Sequence, residues 1–144
     1  IFSASEIDKF MQTQVEIIQS RNLAEQVARA LDLGKRAALL GADVDQSRPA
    51  NRTDEQWAED KVKMAAGILQ GSVAAGLPND SQIIAINIKS EDPALAAEIA
   101  NGYSEAFVQT DVRRSLDSNQ YARDYLLQQI EEIRGRLNEA ELSS

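Results

Sequence analysis

The chain has neither cysteine nor histidine. Without cysteine it holds no disulfide and no thiolate metal site, and any redox compartment suits it. Without histidine the commonest general base is missing, and with it the usual serine and cysteine triads. Aromatics are scarce, 5% of residues with the single tryptophan Trp57, so the core must come from Ala, Leu and Ile. Such a core suits closely packed helices. Positive charge is also in short supply: 15 Lys and Arg stand against 23 Asp and Glu, a net charge of −8. No nucleic acid is expected as a partner, because phosphate neutralisation needs clustered Lys and Arg. The same balance opposes adsorption to anionic lipid heads. No apolar run approaches the roughly 18 residues of a membrane span, and no signal-peptide pattern opens the chain.

What is present fits one folded domain with a modest core: 144 residues, 43% hydrophobic and 26% charged. The chain starts at Ile1 and stops inside a helical pattern at Ser144. It is expected to be an excerpt of a longer protein, truncated at both ends, with any membrane anchors lying outside it.

Ile1–Ser5 reads as the tail of a strand, with Ser5 as cap of the helix that follows. Ile7, Met11, Val15 and Ile18 recur on one helical face. Asn22 with Glu25 reads as a capping box, opening a second apolar stripe of Leu23, Val27, Ala30 and Leu31. Gly34 is expected to end it. The first 34 residues are thus two helices or one bent helix. Lys35–Arg52 reads as a partly ordered loop. Thr53 with Gln56 forms another capping box. The helix it opens carries Trp57, Lys61, Met64, Ile68 and Leu69 on one side, and Gly71 is expected to stop it.

Ser72–Leu77 is a weak strand candidate, and Pro78-Asn79-Asp80 a turn. Gln82–Lys89 is the strongest strand. Ile84, Ile86 and Ile88 alternate onto one face, and Ile83 and Ala85 leave little polarity on the other. Such a strand should be covered on both sides, in a sheet of at least three strands. Asp92 is a good N-cap and Pro93 suits the first helical position. The helix they open has a stripe of Ala96, Ile99, Ala100, Tyr103 and Phe107, thinning through Val112 and Leu116. Asn119 and Arg123 interrupt it. Leu126, Ile130, Ile133, Leu137 and Ala140 then alternate at spacings of four and three, a heptad seam and a candidate helix–helix contact. At 1.5 Å per residue Asp92–Leu142 spans about 75 Å. That exceeds a compact domain of this size, so the far half should project and seek a partner helix. Gly102 within this helix marks either a tolerated weak point or a close backbone approach; for Gly135 the former is expected. The fold class is therefore α+β: residues 1–91 as a base of helices and a small sheet, residues 92–144 as one long projecting helix.

No chemistry-bearing motif stands out. Gly34-Lys35-Arg36 lacks the glycine spacing and the Ser or Thr of a phosphate-binding loop. Asp43-Val44-Asp45 lacks the sixth-position glycine and the terminal Glu of a calcium loop. Glu131-Glu132 and Glu139 with Glu141 read as a solvated helix face. Tyr103, Tyr121 and Tyr125 read as packing residues, and Ser20, Ser72 and Ser81 have no base to activate them. No catalytic residue, cofactor or metal is expected, and no enzyme activity.

Five stretches, in order, resemble one family. Phe10-Met11-Gln12-Thr13-Gln14-Val15-Glu16-Ile17-Ile18-Gln19-Ser20 is similar to a first helix closing on Ser20. Leu23-Ala24-Glu25-Gln26-Val27 and Leu31-Asp32-Leu33 resemble its second helix. Ser81 with Ile83-Ile84-Ala85-Ile86 resembles its strand. Asp92-Pro93 followed by Ala96-Ala97-Glu98-Ile99-Ala100-Asn101 resembles its helix start, and Leu126–Glu141 its coil. The family is the bacterial polysaccharide co-polymerases, the chain-length determinant proteins of the Wzz, Wzc, ExoP and GumC type. The resemblance implies a periplasmic domain, anchored in the inner membrane through segments absent here. It implies homo-oligomeric rings that set the chain length and export of O-antigen, capsule or exopolysaccharide, with a polysaccharide polymerase and export machinery as partners. Some members also carry a cytoplasmic tyrosine kinase. On this reading Ser20, Ser81, Ile84, Ile86, Asp92, Pro93, Ala97 and Asn101 are pattern residues of structure, not chemistry. The alternative is a helical-hairpin periplasmic adaptor of an efflux or secretion system, disfavoured because helices here flank a small sheet.

Overall fold

The computed structural model describes residues 3–78 and 83–143. It is mostly helical with a two-stranded antiparallel sheet, an α+β fold. Two compact units divide the chain, Ile1–Phe107 and Val108–Ser144.

Helix α1 spans Ala4–Ile18. Its cap is Ser3, not Ser5. The Ser3 hydroxyl accepts from the Glu6 amide at 3.2 Å, and the Glu6 carboxylate accepts from the Ser3 amide at 3.4 Å. Ser3 has a glutamate three residues on, which Ser5 lacks, so the reciprocal box forms there. Ala4 and Ser5 are helical, while Ile1 and Phe2 lie outside the described residues. Helix α2, Arg21–Ala30, is capped by Ser20 rather than Asn22. The Ser20 hydroxyl accepts from the Leu23 amide at 3.2 Å and donates to the Ile17 carbonyl at 2.7 Å. One hydroxyl thereby closes α1 and opens α2, which makes two helices rather than one bent one. The buried face of α2 is Leu23, Ala24, Val27 and Ala28; Ala30 is exposed.

The reversal after α2 belongs to Asp32, at φ +51°, not to Gly34. Aspartate tolerates the left-handed region. Gly34 serves another purpose. It is buried in a short 3₁₀ turn, Leu33–Lys35, where a β-carbon would lie 3.1 Å from the Val62 amide nitrogen. The segment read as a loop holds a short helix α3, Ala37–Leu40, and a 3₁₀ turn, Val44–Ser47.

Helix α4 spans Asp54–Ser72, with the Thr53–Gln56 capping box formed in both directions at 3.1 and 3.0 Å. It runs through Gly71, which has open space around it, and passes directly into a strand. Its buried residues are Trp57, Ala65, Ala66 and Leu69, whereas Met64 and Ile68 are exposed. Of the expected face Trp57 and Leu69 are buried, and Ala65 and Ala66 are fully buried where Met64 and Ile68 were expected. Small side chains let two helix backbones approach closely.

Strand β1, Val73–Gly76, pairs antiparallel with β2, Ala85–Ile88, in the register Val73↔Ile88, Ala74↔Asn87, Ala75↔Ile86 and Gly76↔Ala85. Val73 is buried, and Ala75, Ile84, Ile86 and Ile88 pack against the core. On the opposite face Ala74, Asn87 and Ile83 are exposed and Ala85 is half-buried, so among the described residues that side is covered less. Asn87 supplies the polarity that the apolar reading underweighted. No third strand occurs among the described residues. The Gln19 side chain donates to the Ala75 carbonyl at 3.3 Å, tying α1 to β1.

Helix α5 spans Pro93–Ser143. In the first unit it buries Leu95, Ile99, Tyr103 and Ala106, with Phe107 partly covered. Ala96 and Ala100 are only half-buried, because the stripe is centred one residue away. At Gly102 a β-carbon would lie 2.9 Å from Leu31 Cδ1 and 3.3 Å from Val27 Cγ1, a close approach to the α2 region. Gly135 has nothing within 4 Å.

Candidate functional site

The second unit is the far part of α5, and its apolar residues face solvent. Val108, Val112 and Leu116 are exposed, as are Leu126, Leu127, Ile130, Ile133 and Leu137. At 100° per residue, Leu126, Ile130, Ile133, Leu137 and Ala140 fall in one narrow stripe. Ile130 retains 46% exposure and Leu126 60%. A run of large apolar side chains on one helix face marks an interaction surface. Tyr121 and Tyr125, read as packing residues, are exposed at 79% and 58%; only Tyr103 is packed.

The remaining pattern residues do not converge. Ser20 is the shared cap between α1 and α2. Ile84 and Ile86 rest against the core on the covered side of the sheet. Asp92 caps α5, its Oδ1 accepting from the Ala94 and Leu95 amides at 3.0 and 3.3 Å. Pro93 is the first helical residue, and Ala97 and Asn101 are exposed on the first turns. Ser81 lies outside the described residues. Of this set, Ser20, Asp92 and Pro93 fix helix boundaries, and Ile84 and Ile86 make packing contacts.

Electrostatics in the first unit are organised by charged pairs that no local pattern announces. Arg36 meets Glu98 through two bonds of 3.0 and 2.9 Å, and Arg52 meets Asp60 through two of 2.8 Å. Arg29 grips Glu59 in the same two-pronged way. The guanidinium hydrogen bonds hold the Glu98 and Glu59 carboxyls below the usual range. These pairs are exposed or half-exposed, and surface pairs contribute little each. Asp45, within the segment weighed as a calcium loop, accepts from the Trp57 indole at 2.8 Å and from Lys61 at 3.1 Å. The indole bond, then Lys61, lowers its carboxyl. An open hollow of about 420 Å³ lies here, lined by Asp45, Arg48, Asp54, Trp57, Ala58 and Lys61. Sequence spacing gave no sign of this cluster, because its members come together only when residues 41–52 fold back on α4.

Tyr103 is wholly buried, and its hydroxyl has no hydrogen-bond partner among the described residues. Burial pushes its pKa up to about 12. Among the described residues no group of three or more His, Cys, Asp or Glu could hold a metal ion. No helix among them is long and apolar enough to cross a membrane.

No protein-family profile matches the chain, and no solved structure does. A curated relative is the succinoglycan biosynthesis transport protein ExoP of Rhizobium meliloti (strain 1021), 26% identical over 151 aligned residues. The alignment takes in 94% of this chain and 19% of that protein, so the chain spans about a fifth of its relative's length. The ordered motifs and this near end-to-end similarity agree, and both support a protein of the polysaccharide co-polymerase type.

Proposed function

We propose that this chain is a non-catalytic, oligomerising periplasmic domain of an inner-membrane protein. In that role it regulates the chain length and export of a cell-surface polysaccharide. The observation that carries the reading is the similarity to a succinoglycan transport protein along nearly the whole chain. The exposed seam from Leu126 to Leu137 supports the assembly part, since those side chains lose water contact only against another helix. The polymerisation and export machinery are the proposed partners, met through the assembled protein. The residues of this chain serve as caps, core and contact surface, and none carries a reaction.

The test is a deletion of the encoding region followed by sizing of the surface glycan on gels. A changed length distribution, restored by the intact protein and not by one with Ile130→Asp and Ile133→Asp, is the expected result. Unchanged glycan length on deletion, together with a strict monomer in sedimentation of the full-length protein, overturns the reading.

A further inference from the structure

Residues 41–52 are attached to the first unit in an unusual way. None of their side chains is buried, and only Val44 and Arg52 are half-buried. The backbone–backbone hydrogen bonds of this stretch stay local: Val44 to Gly41, Gln46 to Asp43, Arg48 to Asp45 and Arg52 to Pro49. Its ties to α4 are made by charged side chains. Asp45 accepts from Trp57 and Lys61, Arg48 meets Asp54 at 2.6 Å, and Arg52 meets Asp60. Trp57, whose indole donates to Asp45 of this stretch, keeps 5% exposure. At its start Gly41 sits at φ +94°, ψ 148°, a backbone conformation open to glycine and strained for other residues.

Elements differ in how they resist local opening. A segment with buried apolar side chains opens only with the core, whereas one held by exposed polar contacts opens alone. Exposed ion pairs also weaken as salt screens them. We propose that residues 41–52 are a strap, pivoting at Gly41 and clasped on α4 by Asp45, Arg48 and Arg52. It opens on its own when those contacts are screened, uncovering Trp57 while the rest of the unit stays folded. The Thr53–Gln56 capping box sets the other end of the moving segment, because it fixes the first turn of α4 independently of the clasps.

Trp57 is the chain's single tryptophan, so its fluorescence reports the clasp directly. Acrylamide quenching of the unaltered chain is measured from low salt to about 1 M sodium chloride, where the screening length falls to about 3 Å. Far-UV circular dichroism is followed in parallel. The expected result is a quenching constant that rises roughly twofold or more, because charged clasps loosen with screening, while helicity is unchanged. Asp45→Ala gives the raised quenching already at low salt. Asp45→Asn keeps an acceptor for the indole and falls between the two. Quenching that stays at its low-salt value until helicity is lost overturns the proposal. The salt series on the unaltered chain decides the matter even if Asp45→Ala fails to fold.

Discussion

Gly34→Ala is the sharpest perturbation of the first unit. The added β-carbon would lie 3.1 Å from the Val62 amide nitrogen and 3.3 Å from both the Lys61 carbonyl carbon and Val62 Cγ2. Two of those three neighbours are backbone atoms inside α4 and cannot swing aside. The helix must move by a few tenths of an ångström, against Leu33, Ala65 and Ala66, which have no exposed surface left. Overpacking of this kind destabilises by about 1–3 kcal/mol. Gly71→Ala is the internal control. It lies in α4 with open space around it, and replacing a helical glycine by alanine stabilises by about 1 kcal/mol. The two variants differ by one methyl group each and should be separated by roughly 2–4 kcal/mol. With a urea dependence near 2 kcal/mol/M for a unit this size, their midpoints should lie about 1–2 M apart. Urea denaturation followed by circular dichroism measures this. Equal midpoints, or Gly34→Ala the more stable, would refute the claim that Gly34 exists for close backbone approach.

Four further outcomes are expected. Tyr103→Phe removes a buried hydroxyl with no described partner and should leave stability unchanged or raise it by about 1 kcal/mol in thermal melts. The unaltered chain should show one tyrosine ionising near pH 12 in an ultraviolet titration, a step that Tyr103→Phe abolishes. Because the unfolded tyrosine ionises near pH 10.0, stability should fall as pH rises from there towards 12. Glu98 and Glu59 are depressed below their ordinary 4.5, so their contribution is present above that pH and is lost as pH falls through the lower folded values. Glu98→Gln should flatten part of that acid limb in urea midpoints taken from pH 6 to pH 3, and an unchanged limb would assign it to other groups.

Where reciprocal local chemistry is strong, the sequence is readable. Thr53 with Gln56 and Asp92 with Pro93 start helices where the pattern says, because capping needs only neighbours three residues away. It misleads where two candidates compete: Ser20 displaces Asn22 because its hydroxyl serves α1 and α2 at once. The glycines are harder still. Gly34 looks like a helix terminator, yet its task is set by Val62, 28 positions away in the chain. The face of α4 is legible only in part: Trp57 and Leu69 are buried as expected. Hydrophobicity weights Met64 and Ile68, but close packing selects Ala65 and Ala66. The Asp45–Trp57–Lys61 cluster was illegible outright, since no spacing rule links a loop carboxylate to an indole in a later helix.

The two parts of α5 carry different chemistry, and the difference bears on function. Up to Phe107 its apolar stripe is met by the core, with Leu95, Ile99 and Tyr103 almost without exposed surface. From Val108 onward comparable side chains stay exposed. An isolated helix is marginal in water even at favourable composition, because nucleation is unfavourable and propensity alone adds little. Leu126, Ile130, Ile133 and Leu137 are each about half exposed. Covering the remainder would supply roughly 3–6 kcal/mol at about 1.5–3 kcal/mol per fully buried side chain. That is enough to turn a marginal helix into a stable one, and a second helix presenting its own stripe would supply it. Asn119 and Arg123 occupy stripe positions upstream, where desolvating them without partners would oppose association. The contact is therefore expected to begin near Leu126. Moving Asp into Ile130 should weaken self-association in sedimentation, whereas Asp in place of Arg123 should leave it intact. The reverse order of effects would place the contact elsewhere on the helix.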